Sequence, residues 1–217
     1  MADGAEQRRW PVAGPLALAG LCVAALALVW AVAELIPAAH LRDAVLLHHF
    51  VALEGATVNG VAERLLSLLN PLLFTIWGVA LVLVALARER PRVAAAVVLV
   101  LALAPLSAEI LKPLLAHPHM RIGFTHIGPA SFPSGHSTAA AILALSAVLV
   151  APRRARPAVA GLGAVFALAV GAALLIRAWH MPSDVLGGYL TALLWTALAV
   201  AGVRWSERRW PSRRTAG

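Results

Sequence analysis

Residues 12–36 read VAGPLALAGLCVAALALVWAVAELI, an apolar run whose single charge, Glu34, stands near its far end. About 20 apolar residues rising 1.5 Å each cover the roughly 30 Å of a bilayer's hydrocarbon. A helix satisfies its own backbone hydrogen bonds there, so this run reads as a membrane span. Arg8 and Arg9 precede it without a small-residue cleavage site, which predicts a retained anchor rather than a signal peptide. Five more runs follow, at about Leu65–Ala87, Val93–Leu111, His136–Ala151, Pro157–Ile176 and Val185–Val203. The expectation is an all-α polytopic membrane protein, with six transmembrane helices in one bundle and residues 1–217 forming one domain.

Composition agrees with this reading. Of 217 residues, 61% are apolar and 13% charged, too little charge to wet the surface of a globular domain. The lone cysteine, Cys22, excludes an intramolecular disulfide. The formal charge of +8 reads as a topological signal and not as a nucleic-acid footprint. One set of alternate connections holds Arg8 and Arg9, then Arg88, Arg90 and Arg92, then Arg153, Arg154 and Arg156, then Arg204, Arg208, Arg209, Arg213 and Arg214. The other set holds only Arg42, Arg64, Lys112, Arg121 and Arg177. Lys and Arg are retained inside, so both termini are expected to be cytoplasmic in a plasma membrane, with membrane lipids as the surrounding partners. The Arg-rich, Lys-poor usage suggests a bacterial source. All eight histidines then fall at the outer face, together with the sole lysine, Lys112. Titratable groups gathered at one membrane face point to a polar site there.

Three segments meet at that face. The first, Lys112 to Arg121, carries His117 and His119 and suits an anion, although a snorkelling lysine beside loop histidines would look the same. In the second, Pro133-Ser134-Gly135-His136-Ser137 leads into an apolar run and reads as a capped helix start, with Ser134 or Ser137 as acceptor. Free amides at a helix N-terminus hold phosphate readily, and Gly135 lets an oxyanion approach the backbone. His136, beside such an anion, is suited to protonate a leaving oxygen. The third, His180-Met181-Pro182-Ser183-Asp184, starts the last span, and its spacing lets the carboxylate reach back to the imidazole. That pairing leaves the other ring nitrogen as a base or nucleophile. The alternative is an interfacial histidine beside a helix-start charge.

The combination resembles the type 2 phosphatidic acid phosphatase (PAP2) superfamily of membrane lipid phosphatases, whose three motifs fall in order between Lys112 and Asp184. The resemblance implies that His180 attacks phosphorus to give a phosphohistidine and Asp184 orients it. It also implies that His136 protonates the leaving group, that Lys112, Ser134 and the Gly135 amide hold the phosphoryl oxygens, and that no metal or other cofactor takes part. The implied substrate is a lipid phosphate or pyrophosphate, prenyl or glycerolipid, reaching segments 112–136 and 177–184 at the outer leaflet. Two family arginines are out of register: His119 stands at one position, and Ala173 and Leu174 replace the usual Ser-Arg pair at the other. Arg121, Arg177 and His119 are the substitutes at hand. Other readings are a catalytically silent lipid-phosphate-binding relative, a transporter, and a metal site built on His117, His119 and His126, with His136 as a further ligand.

Overall fold

The computed structural model describes residues 12–118 and 127–210 and, among them, eight helices. These are α1 (Ala13–Leu35), α2 (Pro37–Val51), α3 (Ala56–Ser67), α4 (Pro71–Ala87), α5 (Pro91–Leu114), α6 (Gly135–Val150), α7 (Arg156–Ile176) and α8 (Pro182–Arg209). Proline opens α2, α4, α5 and α8, where its fixed φ suits the first turn and its missing N–H costs nothing.

Helices α1, α5, α7 and α8, with 23, 24, 21 and 28 residues, are long and apolar enough to cross a membrane. Leu21 and Leu28 of α1 and Leu162, Val165 and Leu168 of α7 lie exposed on the outer surface. So broad an apolar exterior suits hydrocarbon and not water, and the chain is a polytopic, all-helical membrane protein. Each of the six expected runs falls on a helix, yet the lengths support four spans, or five if α3 and α4, bent by 53° at their junction, count as one. The Asn70 side chain caps α4 by accepting the Leu73 N–H at 2.8 Å, which restarts the helix in a new direction. Helix α6, with 16 residues, rises only about 24 Å. The stretch 37–64, expected to connect two spans, holds α2 and α3 instead.

Packing sets where the site forms. Helix α1 runs along α8, and α6 packs on α5, α7 and α8. Gly187 and Gly188 allow the α6–α8 approach. A Cβ on Gly188 would lie 2.6 Å from the Ser134 carbonyl oxygen, and one on Gly187 would lie 2.6 Å from the Phe132 ring. Polar ties complete the frame: Trp195 Nε1 donates to Ser107 Oγ at 2.9 Å, and Tyr189 OH to the Ala167 carbonyl at 2.6 Å. Trp30 Nε1 donates to the Leu115 carbonyl at 2.9 Å, fastening α1 to the end of α5. Helix α2 lies against α7 and α8, and its Asp43 reaches the first turn of α8.

Candidate active site

The end of α5, the start of α6 and the start of α8 come together at one end of the bundle. Ser134 is the N-cap of α6, and its buried Oγ accepts the Ser137 N–H at 3.3 Å. Of the two serines considered from the sequence, Ser134 is therefore the cap, while the buried Ser137 hydroxyl has no hydrogen-bond partner. The Ser134 N–H donates to the Asp184 carbonyl at 2.9 Å, which ties the α6 start to α8. Over Gly135 stands an ion pair. Lys112 Nζ meets Glu109 Oε1 at 2.6 Å, and a Cβ on Gly135 would lie 2.7 Å from that oxygen and 3.7 Å from Nζ. The missing side chain leaves room for a carboxylate against the positive end of α6, the place a helix dipole favours for an anion.

On the other side lies the pair His180 and Asp184. Ala178, at φ 50°, holds a left-handed conformation that strains a residue with a Cβ. This turn carries the chain from α7 to Trp179 and His180. Pro182 then opens α8, and Asp184, fully buried in its first turn, points back. Asp184 Oδ2 accepts the Met181 N–H at 2.8 Å and stands 3.3 Å from His180 Nδ1. A carboxylate on Nδ1 fixes the proton there and leaves the Nε2 lone pair available. The His136 ring packs edge-on to Trp179 at 5.7 Å and lies within electrostatic reach of His180 and Lys112. Lys112, Ser134, Gly135, His136, His180 and Asp184 thus share one end of the bundle.

Arg177 turns elsewhere. Its guanidinium spans Glu63 at 3.2 Å and Glu54 at 3.8 Å, bracing α7 against the segment that leads through α3. Ala173 and Leu174, where the family carries a polar pair, are buried in the apolar core. His119, Arg121 and His126 lie outside the described residues.

Two acids belong to this end that the motifs did not indicate. Glu109 holds Lys112. Asp43, on α2, accepts from Ser183 Oγ at 2.6 Å and from Ser183 N at 3.2 Å, so it holds the first turn of α8 from outside the motif. Burial raises the Asp43 pKa, the Ser183 hydrogen bonds oppose that shift, and nearby Asp184 adds to it. Behind it, buried Glu34 faces His40 at 3.5 Å and His117 at 3.4 Å. The sequence signal for this cluster is weak: an acid and histidines in 37–51, a stretch too polar and too short to read as a span. Glu109, three residues before Lys112, was legible as an i,i+3 pair.

Fold and site together define a helical membrane protein with an anion-receptive end and a buried histidine–aspartate pair. Residues 93–208 match the PAP2 superfamily, and the chain belongs to that superfamily of phosphatases. The match begins at α5 and leaves α1 to α4 outside it. The crystal structure of a transmembrane PAP2-type phosphatidylglycerolphosphate phosphatase from Bacillus subtilis is similar over 92% of this chain and 98% of its own, with a TM-score of 0.70 and 22% identity. At that identity the likeness concerns the fold. No curated protein matches the chain.

Proposed function

We propose that this protein is a membrane phosphohydrolase that removes phosphate from a lipid phosphate or pyrophosphate, prenyl or glycerolipid, through a phosphohistidine intermediate. The observation that carries the reading is the buried His180–Asp184 pair beside the capped, glycine-opened start of α6. Asp184 keeps the proton on Nδ1, and His180 Nε2 attacks phosphorus. The P–O bond to the lipid breaks, and His136 gives its proton to the departing oxygen. Water then cleaves the N–P bond, with His136 taking a proton from it, which releases phosphate and restores His180. Lys112, the Gly135 amide and Ser134 hold the equatorial oxygens, where placed positive charge matters most. With Arg177 held by Glu54 and Glu63, Lys112 is the principal described cation. His119 and Arg121 are the further donors in the loop, and Arg177 serves if its glutamates release it.

The proposal includes six spans in a single domain, both termini in the cytoplasm of a plasma membrane, and a site facing the outer leaflet. There the lipid's tail stays in hydrocarbon while its headgroup reaches His180. Phosphatidylglycerolphosphate, the substrate of the Bacillus protein, joins prenyl pyrophosphates and phosphatidic acid as a candidate. A second reading is a silent phosphate-binding relative, favoured by the apolar Ala173 and Leu174 where the family places a charge. One experiment decides between them: phosphate release from a panel of lipid phosphates with chelator present, and acid-labile labelling of the protein by radioactive substrate. Turnover with label lost in His180→Ala supports the enzyme. Binding without turnover across the panel supports the silent relative, and chelator-sensitive turnover overturns the mechanism.

A further inference from the structure

At the end of the bundle opposite His180, a cavity of about 650 Å³ opens among α5, α6 and α8. Helix α6 stops at Val150, level with the start of α5, and the recess beside it has Val93, Ala96, Val200 and Val203 in its walls. Arg90, Arg153, Arg156 and Arg204 also line it, with Glu207 the one acidic group among its lining residues. A topological signal needs arginines only near a membrane surface; it does not require them around an apolar recess, or fixed in place. Here two are fixed. Arg90 donates from its guanidinium to the Leu149 carbonyl at 2.9 Å, and Arg156 Nε to the Ala151 carbonyl at 3.3 Å, so the end of α6 anchors both. Each keeps further N–H groups unspent by that bond. Like charges crowd the recess: burial foremost lowers the Arg90 pKa, and Arg156, Arg88 and Arg153 add to that against the pull of Glu207.

Guanidinium groups match phosphate geometry, and basic recesses between membrane helices hold anionic headgroups. A volume of this size accommodates a headgroup and the first part of its chains. We propose that this cavity binds an anionic phosphodiester lipid, its phosphate among Arg90, Arg153, Arg156 and Arg204 and its acyl chain along Val93, Ala96, Val200 and Val203. The site is distinct from the catalytic end: along α6, which joins the two, His136 and the lining residue Val148 are about 18 Å apart. It does not depend on the reaction proposed above. The lipid bound here is retained and not hydrolysed, because the described lining holds no histidine–carboxylate pair like that of His180 and Asp184.

The test uses the full chain in a neutral detergent and native mass spectrometry, titrating dihexanoyl phosphatidylglycerol, dihexanoyl phosphatidylcholine and inorganic phosphate separately. The proposal expects saturable binding of phosphatidylglycerol over phosphatidylcholine and weak binding of inorganic phosphate. Arg153→Gln with Arg204→Gln should weaken phosphatidylglycerol binding about thirty-fold, from the usual contribution of two basic residues at an anionic lipid surface. Val200→Phe, which fills the wall without changing charge, should also weaken it. Arg42→Gln and His180→Ala should leave it unchanged. Equal binding of the two lipids, or binding that survives both the paired arginine change and Val200→Phe, would overturn the proposal. So would loss of binding in His180→Ala. Inorganic phosphate binding as tightly as the lipid would mean a free-anion site and overturn the lipid assignment.

Discussion

Glu109 lies where the substrate's phosphate is proposed to sit, and replacing it should tighten substrate binding. Its Oε1 holds Lys112 Nζ at 2.6 Å over the open face of Gly135, so a phosphate must displace one anion from the lysine before taking its place. The Glu109 side chain is 59% exposed and can swing away into solvent. If it stayed, a phosphate oxygen about 4 Å from it would meet roughly 1 kcal/mol of repulsion per unit charge in a water-like medium. If it leaves, the cost is that of breaking a solvent-screened i,i+3 pair, about 0.2–1 kcal/mol. Glu109→Gln removes this cost and should lower KM by about 1.5- to fivefold, with kcat nearly unchanged because the ground and transition states gain alike. The assay is initial phosphate release in mixed micelles as a function of substrate mole fraction. Added salt should shrink the gap between variant and wild type by screening the pair. A raised KM with a lowered kcat in Glu109→Gln would refute the reasoning and make Glu109 the group that positions Lys112.

Other expectations concern the dyad, its support and the helix contact. His180→Ala should lose turnover and phosphoenzyme together, whereas His136→Ala should slow by about 10² to 10⁴ and be partly rescued by substrates with good leaving groups; equal losses for all leaving groups would contradict the acid role. Asp43→Ala removes the acceptor for the Ser183 N–H and hydroxyl and should cost about 1 kcal/mol of stability, as loss of a helix-start acceptor does. Asp43→Asn keeps an acceptor oxygen. Because the folded-state pKa of Asp43 is raised, its carboxyl destabilises the fold progressively as pH climbs from its ordinary range toward the folded value, so Asp43→Asn should gain stability relative to wild type across that window, read by thermal melts. A pH-independent difference between the two would speak against the buried carboxylate. Gly188→Ala should lower the melting midpoint by the equivalent of about 1–3 kcal/mol and impair activity, since the added Cβ meets the Ser134 carbonyl and the Thr138 amide and not a flexible side chain. Finally, cysteines at Ala130 and Ala155 in a Cys22→Ala background should react oppositely with an impermeant maleimide; labelling of position 155 alone from outside would reverse the proposed orientation.

The membrane class, most helix positions and the three motif segments were legible in the sequence because they rest on short-range physics. An apolar run of sufficient length has one stable form in hydrocarbon, and Pro-Ser-Gly-His and His-Met-Pro-Ser-Asp each encode a helix start within a few residues. Span count was less legible. Whether the 16-residue α6 crosses a bilayer, and whether α3 and α4 act as one bent span, depends on neighbours and on chain direction, which composition does not carry. Tertiary structure alone decided the charge assignments. Arg177 precedes His180 by three residues and invited a role beside it, but α3 folds onto α7 and its Glu63, with Glu54 just before that helix, takes the guanidinium. Asp43 lies 140 residues from Ser183 and meets it only because α2 packs against the start of α8. Side-chain partners separated by that much chain are selected by packing of whole helices, a long-range outcome that periodicity and local spacing do not encode.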